Sequence, residues 1–146
     1  MKPSGRIIRH KLFIEEEQGD RFVGLVSSEA DYKISLLINN KLNIKLKSNK
    51  PVSLASGEGT EILFTRFTAA SKFNDLTFDL VSNKSDNVYL TKKYPNLDYV
   101  LKINGSVLKE TFSEIINKIR SIDGIIAVFI LEDKLQLEDN ILEIIA

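Results

Sequence analysis

The sequence of 146 residues has no cysteine and a single histidine, His10. Without cysteine, the chain cannot form disulfides, thiolate nucleophiles or cysteine-ligated metal sites. A serine triad requires a histidine that an acid orients, and His10 lies in a basic leading segment without a nucleophile motif. No group of carboxylates has the spacing of a calcium-binding loop. We therefore predict no catalytic residue, no metal site and no cofactor.

The chain also has no long apolar run. Ile125 to Leu131, one of the longest, has seven residues, whereas a membrane-spanning helix needs about 20. The first eleven residues lack the apolar stretch and the small-residue cleavage site of a signal peptide. We expect a cytoplasmic protein that does not enter a membrane.

Net charge is absent as well, since 20 basic and 20 acidic residues cancel. No overall field therefore favours nucleic acid as a partner. Locally, four lysines follow one another without an intervening acid: Lys41, Lys45, Lys47 and Lys50. Two lysines on one strand face would make only a few phosphate contacts, and no aromatic pair accompanies them. A solvated strand face is the favoured interpretation.

What the chain does contain is typical of one globular domain. Its hydrophobic content of 43% and charged content of 27% are ordinary values for such a domain. Pro3, Ser4 and Gly5 disfavour regular structure near the start, so we predict a flexible segment over residues 1–10. The rest of residues 1–146 is expected to form a single domain.

A strand, a helix and a strand are predicted between Leu97 and Leu131. Leu97 to Ile103 has a strand pattern, and Ile125 to Leu131 is predicted to be a buried strand. Between them, apolar residues recur at the spacing of an amphipathic helix: Phe112, Ile115, Ile116, Ile119 and Ile122. A capping box, Thr111 to Glu114, is predicted at the start of this helix.

An earlier helix is predicted to start near Ser28, because Ser28 to Asp31 fits a second capping box. Ahead of it, Phe22 to Val26 is a predicted strand in which Gly24 indicates a bulge or a close approach. After it, we predict a strand over Leu42 to Lys47 and a long loop over Ser48 to Thr60. Further strands are predicted over Ile62 to Thr68, Leu76 to Ser82 and Val88 to Leu90.

Together these elements predict an α+β fold. We expect a mostly antiparallel sheet of about five to seven strands, with two helices packed on one face. A ferredoxin-like core built around Leu97 to Leu131 is one form that this fold could take.

Five residues are candidates for a polar binding site: Asp31, Asn83, Lys84, Asp98 and Tyr99. A carboxylate beside a phenol at a strand entry could orient a polar ligand. The favoured alternative is structural, since Asp98 could accept backbone N–H bonds in a turn while Tyr99 packs its ring at the edge of the core.

A second set of residues is a candidate interface. Tyr32 and Leu36 form an apolar pair outside the main stripe of the first helix. Near the end of the sequence, an apolar cluster is expected to dock, either on its own domain or on a partner: Ile141, Leu142, Ile144 and Ile145.

Four motifs occur in a fixed order: Asp31-Tyr32-Lys33, Val81 to Ser85, Leu97 to Ile103 and Glu138 to Leu142. Their arrangement resembles the IPExxxVDY family, small proteins of Bacteroidetes bacteria without an assigned activity. Thr91-Lys92-Lys93 stands where the family name expects Ile-Pro-Glu, whereas Leu97-Asp98-Tyr99 keeps the second half. The resemblance implies a bacterial origin, a fold and a compartment, and it implies no reaction.

These observations favour a non-enzymatic protein-interaction module, with a homodimer as one form of it. The alternative is a small-ligand binding protein or an enzyme, with a polar site near Asp31, Asn83, Asp98 and Tyr99.

Overall fold

The computed structural model of the chain describes residues 16–17, 20–55, 59–71 and 75–131. These residues form ten strands and two helices. The strands are β1 (Glu16–Glu17), β2 (Asp20–Val26), β3 (Lys47–Ala55), β4 (Glu61–Ala70), β5 (Thr77–Ser82), β6 (Lys84–Ser85), β7 (Val88–Tyr89), β8 (Tyr99–Asn104), β9 (Val107–Leu108) and β10 (Ala127–Leu131). The helices are α1 (Asp31–Leu42) and α2 (Lys109–Arg120).

Six strands form one sheet in the order β10-β2-β8-β5-β4-β3, and all its neighbouring pairs are antiparallel. The predicted α+β class with a mostly antiparallel sheet is therefore confirmed. Since β8 and β10 both run antiparallel to β2, the unit β8-α2-β10 joins two parallel strands with one strand between them. The unit β2-α1-β5 is built in the same way around β8.

Two such split units that share a sheet are the ferredoxin-like arrangement. Strands β3 and β4 are inserted between α1 and β5, and they extend the sheet at one edge. The sheet therefore ends with β3 on one side and β10 on the other.

Both helices pack on the same face of this sheet, as predicted. Alternate residues of the central strands point to this face, and they meet the apolar stripes of α1 and α2. The strands contribute Val23, Leu25, Leu80, Leu101 and Ile103, and the helices contribute Ile34, Ile38, Phe112, Ile116 and Ile119. Each such buried side chain stabilises the fold by about 1.5–3 kcal/mol relative to its exposed state.

The opposite face has its own, smaller core. Here Phe22, Phe64, Val81 and Val100 are buried beneath residues 83–98, which we call the cover segment. Leu90 and Leu97 are its buried apolar contacts, at 1% and 2% exposure. The sheet is thus covered on both faces, by helices on one and by an irregular segment on the other.

The region after α1 differs from the prediction. Residues 43–46 do not form a strand, because Asn43 ends α1 in the left-handed conformation, with φ of 56°. The Asn39 side chain then binds the backbone of Leu46, whose N–H lies 2.7 Å from Oδ1. Ile44 and Leu46 are buried, so their alternation with lysine reflects packing of a turn.

The predicted long loop over Ser48 to Thr60 was also wrong, because residues up to Ala55 belong to β3. Polar residues and Pro51 obscured this strand in the sequence. The pairing with β4 shifts register between Asn49 and Val52, and this bulge lies at the edge of the sheet. A proline is tolerated at such a position because it removes no central ladder hydrogen bond.

Both predicted capping boxes were wrong as well. α1 begins after Ala30 and α2 begins after Leu108, and neither residue provides a side-chain cap. Tertiary contacts place these helix starts instead. Leu108 lies in β9, which pairs with β1 and leads directly into α2.

Candidate functional site

The Asp98 carboxylate joins three parts of the chain just before β8. Its Oδ2 accepts a hydrogen bond from the Ser27 N–H at 2.9 Å, and its Oδ1 lies 3.0 Å from the Lys84 Nζ. The Asp98 N–H donates to the Leu25 carbonyl at 2.8 Å. The hydrogen bond to Asp98 and its negative charge raise the pKa of Lys84, against a smaller opposing effect of burial. Asp98 therefore fastens the end of β2 and the β6 strand to the start of β8.

The Asn83 side chain hydrogen-bonds three backbone groups of the cover segment and has no exposed surface. Its Oδ1 accepts the Thr91 N–H at 2.8 Å. Its Nδ2 donates to the carbonyls of Tyr94 and Leu97, at 3.0 and 2.8 Å. An asparagine side chain can make four hydrogen bonds, and three of them are made here to backbone groups. The side chain therefore holds the cover segment together and presents no surface to solvent.

Tyr99 closes this cluster on the side of α1. Its hydroxyl donates to the Glu29 carbonyl at 2.6 Å. Burial, followed by the negative charges of Asp31, Asp98 and Glu29, raises the pKa of Tyr99 to about 12. The phenol is therefore neutral near pH 7, where it acts as a hydrogen-bond donor.

The structure thus brings Asn83, Lys84, Asp98 and Tyr99 together beside the start of α1. Asp31 occupies the first turn of that helix and accepts the Tyr32 N–H through its carboxylate. The contacts of this cluster run inward, to backbone groups and to one another. This geometry supports a structural role for the cluster more than a binding role.

Ser27 is part of this cluster, and the sequence analysis missed it. Its hydroxyl donates to the Gly124 carbonyl at 2.6 Å and accepts the Glu29 N–H at 3.1 Å. These contacts link the β2–α1 turn to the chain after α2. Nothing local distinguishes Ser27 from Ser28, so only the position of Gly124 could have revealed its role.

The interface candidates lie in two different parts of the chain. Tyr32 and Leu36 are 64% and 55% exposed on the outer side of α1. The other candidates lie outside the described residues: Ile141, Leu142, Ile144 and Ile145.

A third apolar surface, at β10, escaped the sequence analysis. Val128 and Leu131 are buried as predicted, but Phe129 is 46% exposed, and Ile126, just before the strand, is 71% exposed. The reason is that, among the described strands, β10 lies at an edge of the sheet and only β2 pairs with it. The strand itself contains no charged residue.

The other edge of the sheet is different in character. β3 carries Lys47, Lys50 and Pro51, all exposed, and a register shift interrupts its ladder. Lysine, proline and bulges are the features by which natural edge strands resist pairing with other chains. The sheet therefore has one protected edge and one apolar edge.

Within the described ranges, no helix has both the length and the apolar character needed to cross a membrane. The same residues contain no group of three or more histidine, aspartate or glutamate side chains placed to hold a metal ion.

Comparison of the chain with protein-family models, curated proteins and solved structures found no match. The resemblance to the IPExxxVDY family therefore stays a prediction.

Proposed function

We propose that the protein is a non-enzymatic cytoplasmic interaction module that associates with a second copy of itself through the edge strand β10. The observation that carries the proposal is the exposure of Phe129, at 46%, on an edge strand without a charged residue. Edge strands of this kind present backbone N–H and C=O groups to another strand. Strand addition is a common mode of protein recognition.

A second β10 fits this edge because the strand is self-complementary. In an antiparallel pair with a two-fold axis at Phe129, the Phe129 side chains of the two copies lie opposite each other. Val128 then faces Ile130 of the other copy, and Ala127 faces Leu131. Apolar residues therefore meet on both faces of the joined sheet, and aromatic pairs across strands are favourable by about 0.2–1 kcal/mol.

The contrast between the two edges supports a closed dimer. An apolar edge that could also pair with β3 would join copies head to tail into an open filament. The lysines, Pro51 and the bulge of β3 disfavour that pairing. Isologous pairing of β10 with β10 leaves each dimer with two protected edges.

Absence of cysteine from the chain makes cross-linking a direct test. In the Phe129→Cys variant, the two β-carbons would be about 4.5–5.5 Å apart across the two-fold axis, close to the range of a disulfide. We expect mild oxidation to give a covalent dimer. Leu63→Cys is the matched control, because Leu63 is 51% exposed on β4.

Light scattering of the unmodified protein supplies the second measurement. We expect a dimer for the wild type and for Leu63→Lys, and a monomer for Phe129→Lys, in which two ammonium groups would face each other. A wild-type monomer at every accessible concentration would contradict the proposal. So would a dimer that Leu36→Lys disrupts and Phe129→Lys leaves intact, since it would assign the contact to α1.

The alternative prediction, a polar-ligand or enzyme site near Asp31, Asn83, Asp98 and Tyr99, has less support. Asn83 has no exposed surface, and the Tyr99 hydroxyl is hydrogen-bonded to a backbone carbonyl.

A further inference from the structure

A shallow, open cleft lies on the face of the sheet that carries the cover segment, at the β3 edge. It has a volume of about 530 Å³ and is formed by β3, β4, β5 and the turn before β3. Six of its residues bear on its chemistry: Lys45, Lys47, Asn49, Arg66, Thr68 and Asp79. Ligand sites commonly have volumes of about 300–1,000 Å³.

Strand register places four of these residues in a compact block. Lys47 lies opposite Thr68, and Asn49 lies opposite Arg66. Residues two apart on a strand point to the same face, so all four side chains share the cleft face. Lys47 and Arg66 are diagonal neighbours, at a typical separation of about 7–8 Å. Both cations can therefore reach one bound group between them.

Arg66 is held in place by Asp79 on the neighbouring strand. Its Nε and Nη2 donate to the Asp79 Oδ1 at 3.0 and 2.9 Å. A guanidinium has five N–H donors, so three remain for another acceptor. The Asp79 side chain is 11% exposed and that of Arg66 is 27% exposed. The buried carboxylate thus orients a cation whose outer side stays accessible.

A second fixed donor lies beside Arg66. The Asn49 Oδ1 accepts the Lys50 N–H at 2.7 Å, and the Asn49 Nδ2 donates to the Thr68 Oγ1 at 3.0 Å. Because Thr68 Oγ1 accepts this bond, its hydroxyl proton can be donated to another acceptor.

The cleft is also electropositive. Lys45 and Lys47 are exposed, and neither forms a salt bridge with a carboxylate of the described residues. With Arg66 they give the lining three cations, against the single carboxylate of Asp79. The excess of positive charge favours an anionic ligand.

We propose that this cleft binds a small phosphomonoester. A phosphate group carries a charge of about −1.5 to −2 at pH 7 and has three strong acceptor oxygens. Arg66 supplies a planar pair of N–H donors, which suits phosphate, while Thr68 and Lys47 supply donors from the other side of the block. Asp79 does not repel the ligand strongly, because Arg66 lies against its carboxylate.

A nucleic acid strand fits the cleft less well. Single strands are usually held by aromatic side chains on which bases stack. The one aromatic residue of the lining, Phe78, is 3% exposed. Two lysines and one arginine would neutralise only a short stretch of backbone.

The test is a titration of the ¹⁵N-labelled full chain with glycerol 3-phosphate and with inorganic phosphate. Sodium chloride at matched ionic strength is the control for screening. We expect saturable shifts at residues 47–49, 66–68 and 79. In the Lys45→Ala/Lys47→Ala variant we expect binding weaker by about fivefold or more, since charge-assisted hydrogen bonds are lost.

The variants Thr68→Val and Lys33→Ala distinguish binding at the cleft from nonspecific attraction of the anion to positive charge. Thr68→Val keeps the shape and removes the hydroxyl donor, so it should weaken binding. Lys33 is exposed on α1, and its loss should leave binding unchanged. Shifts that never saturate, or that sodium chloride reproduces, would overturn the proposal. Much tighter binding of a single-stranded oligonucleotide would overturn it too, by assigning the surface to nucleic acid.

The result of this titration does not depend on whether the protein dimerises through β10. The cleft is lined by β3, β4 and β5, and two further strands, β8 and β2, separate β5 from β10. Association through β10 therefore leaves it open, and either proposal can fail while the other holds.

Discussion

The Leu97 side chain lies directly against the backbone of Gly24. A β-carbon placed on Gly24 would be 2.6 Å from the Leu97 Cδ1 and 2.8 Å from its Cδ2. Gly24 therefore allows the Leu97 side chain to approach the backbone closely, which is one of the two roles that the sequence indicated for a glycine within a strand. Through this contact the cover segment seals the second core over β2.

Gly24→Ala is expected to destabilise the fold by about 1–3 kcal/mol, because Leu97 must leave its place in a packed core. Leu97→Val shortens the side chain that causes the clash. We expect the double variant to lose less stability than the sum of the two single losses. Urea unfolding of the four proteins measures this coupling. Additive losses would show that the contact does not limit packing.

Asn83→Ala should be among the most damaging single changes to the cover segment. It leaves the Thr91 N–H without its acceptor and removes a donor from the carbonyls of Tyr94 and Leu97, of which the Tyr94 carbonyl keeps the Leu97 N–H. Each buried group left unsatisfied costs about 1–3 kcal/mol. Asn87→Ala is the matched control, because Asn87 is exposed in the turn between β6 and β7, and a surface change of this kind costs at most about 0.5 kcal/mol. Equal unfolding midpoints for the two variants would contradict the role given to Asn83.

Replacing Asp98 is expected to destabilise the fold more than replacing Lys84, its partner in the ion pair. The Lys84 side chain is 43% exposed, so Lys84→Ala should cost about 0–1 kcal/mol. Asp98→Ala also removes the acceptor of the Ser27 N–H and should cost about 1–3 kcal/mol. Asp98→Asn keeps an oxygen acceptor and should fall between them. Thermal or urea unfolding of the three variants measures this order. Equal losses of stability for Lys84→Ala and Asp98→Ala would indicate that the ion pair contributes more than the hydrogen bond to Ser27.

The raised pKa of Tyr99 predicts that the fold loses stability at alkaline pH. Its pKa is raised to about 12 in the fold, from an ordinary value of 10. The folded state thus retains a proton that the unfolded state releases, so the contribution of Tyr99 to stability is fully present below pH 10 and is lost as pH rises toward 12. The loss is on the order of 2 kcal/mol. Lys84 acts in the same direction, since its raised pKa also gives stability that is present below 10.5 and lost above it.

Comparison with Tyr99→Phe isolates the tyrosine contribution. Phenylalanine does not ionise, so this variant should lose less stability between pH 10 and 12, although it gives up the hydrogen bond to Glu29. The difference between the ultraviolet titrations of the two proteins reports the ionisation of Tyr99 directly. A difference that titrates near pH 10 would show that Tyr99 is not shielded in the fold.

The sequence indicated the site residues without indicating what joins them. Asp98 and Tyr99 could be selected from the motif at the start of β8, and Asn83 from the end of β5. Asp98 and Tyr99 bind Ser27 and Glu29, which lie about 70 residues away along the chain. No local pattern encodes a contact at that separation, so the inward direction of the hydrogen bonds became visible only in the folded chain.

Periodicity along the sequence determined the α+β class, the apolar face of α2 and the central residues of strands β4, β5 and β8. Each of these follows from residues a few positions apart, whose spacing reports the local backbone directly. The tertiary structure decided where the helices begin, that residues 47–55 form a strand, and which strands lie at the edges. β10 shows the reason: its apolar residues predict a strand, but its neighbour β2 lies about 100 residues earlier. Whether Phe129 is buried depends on that distant pairing and on what lies beyond it.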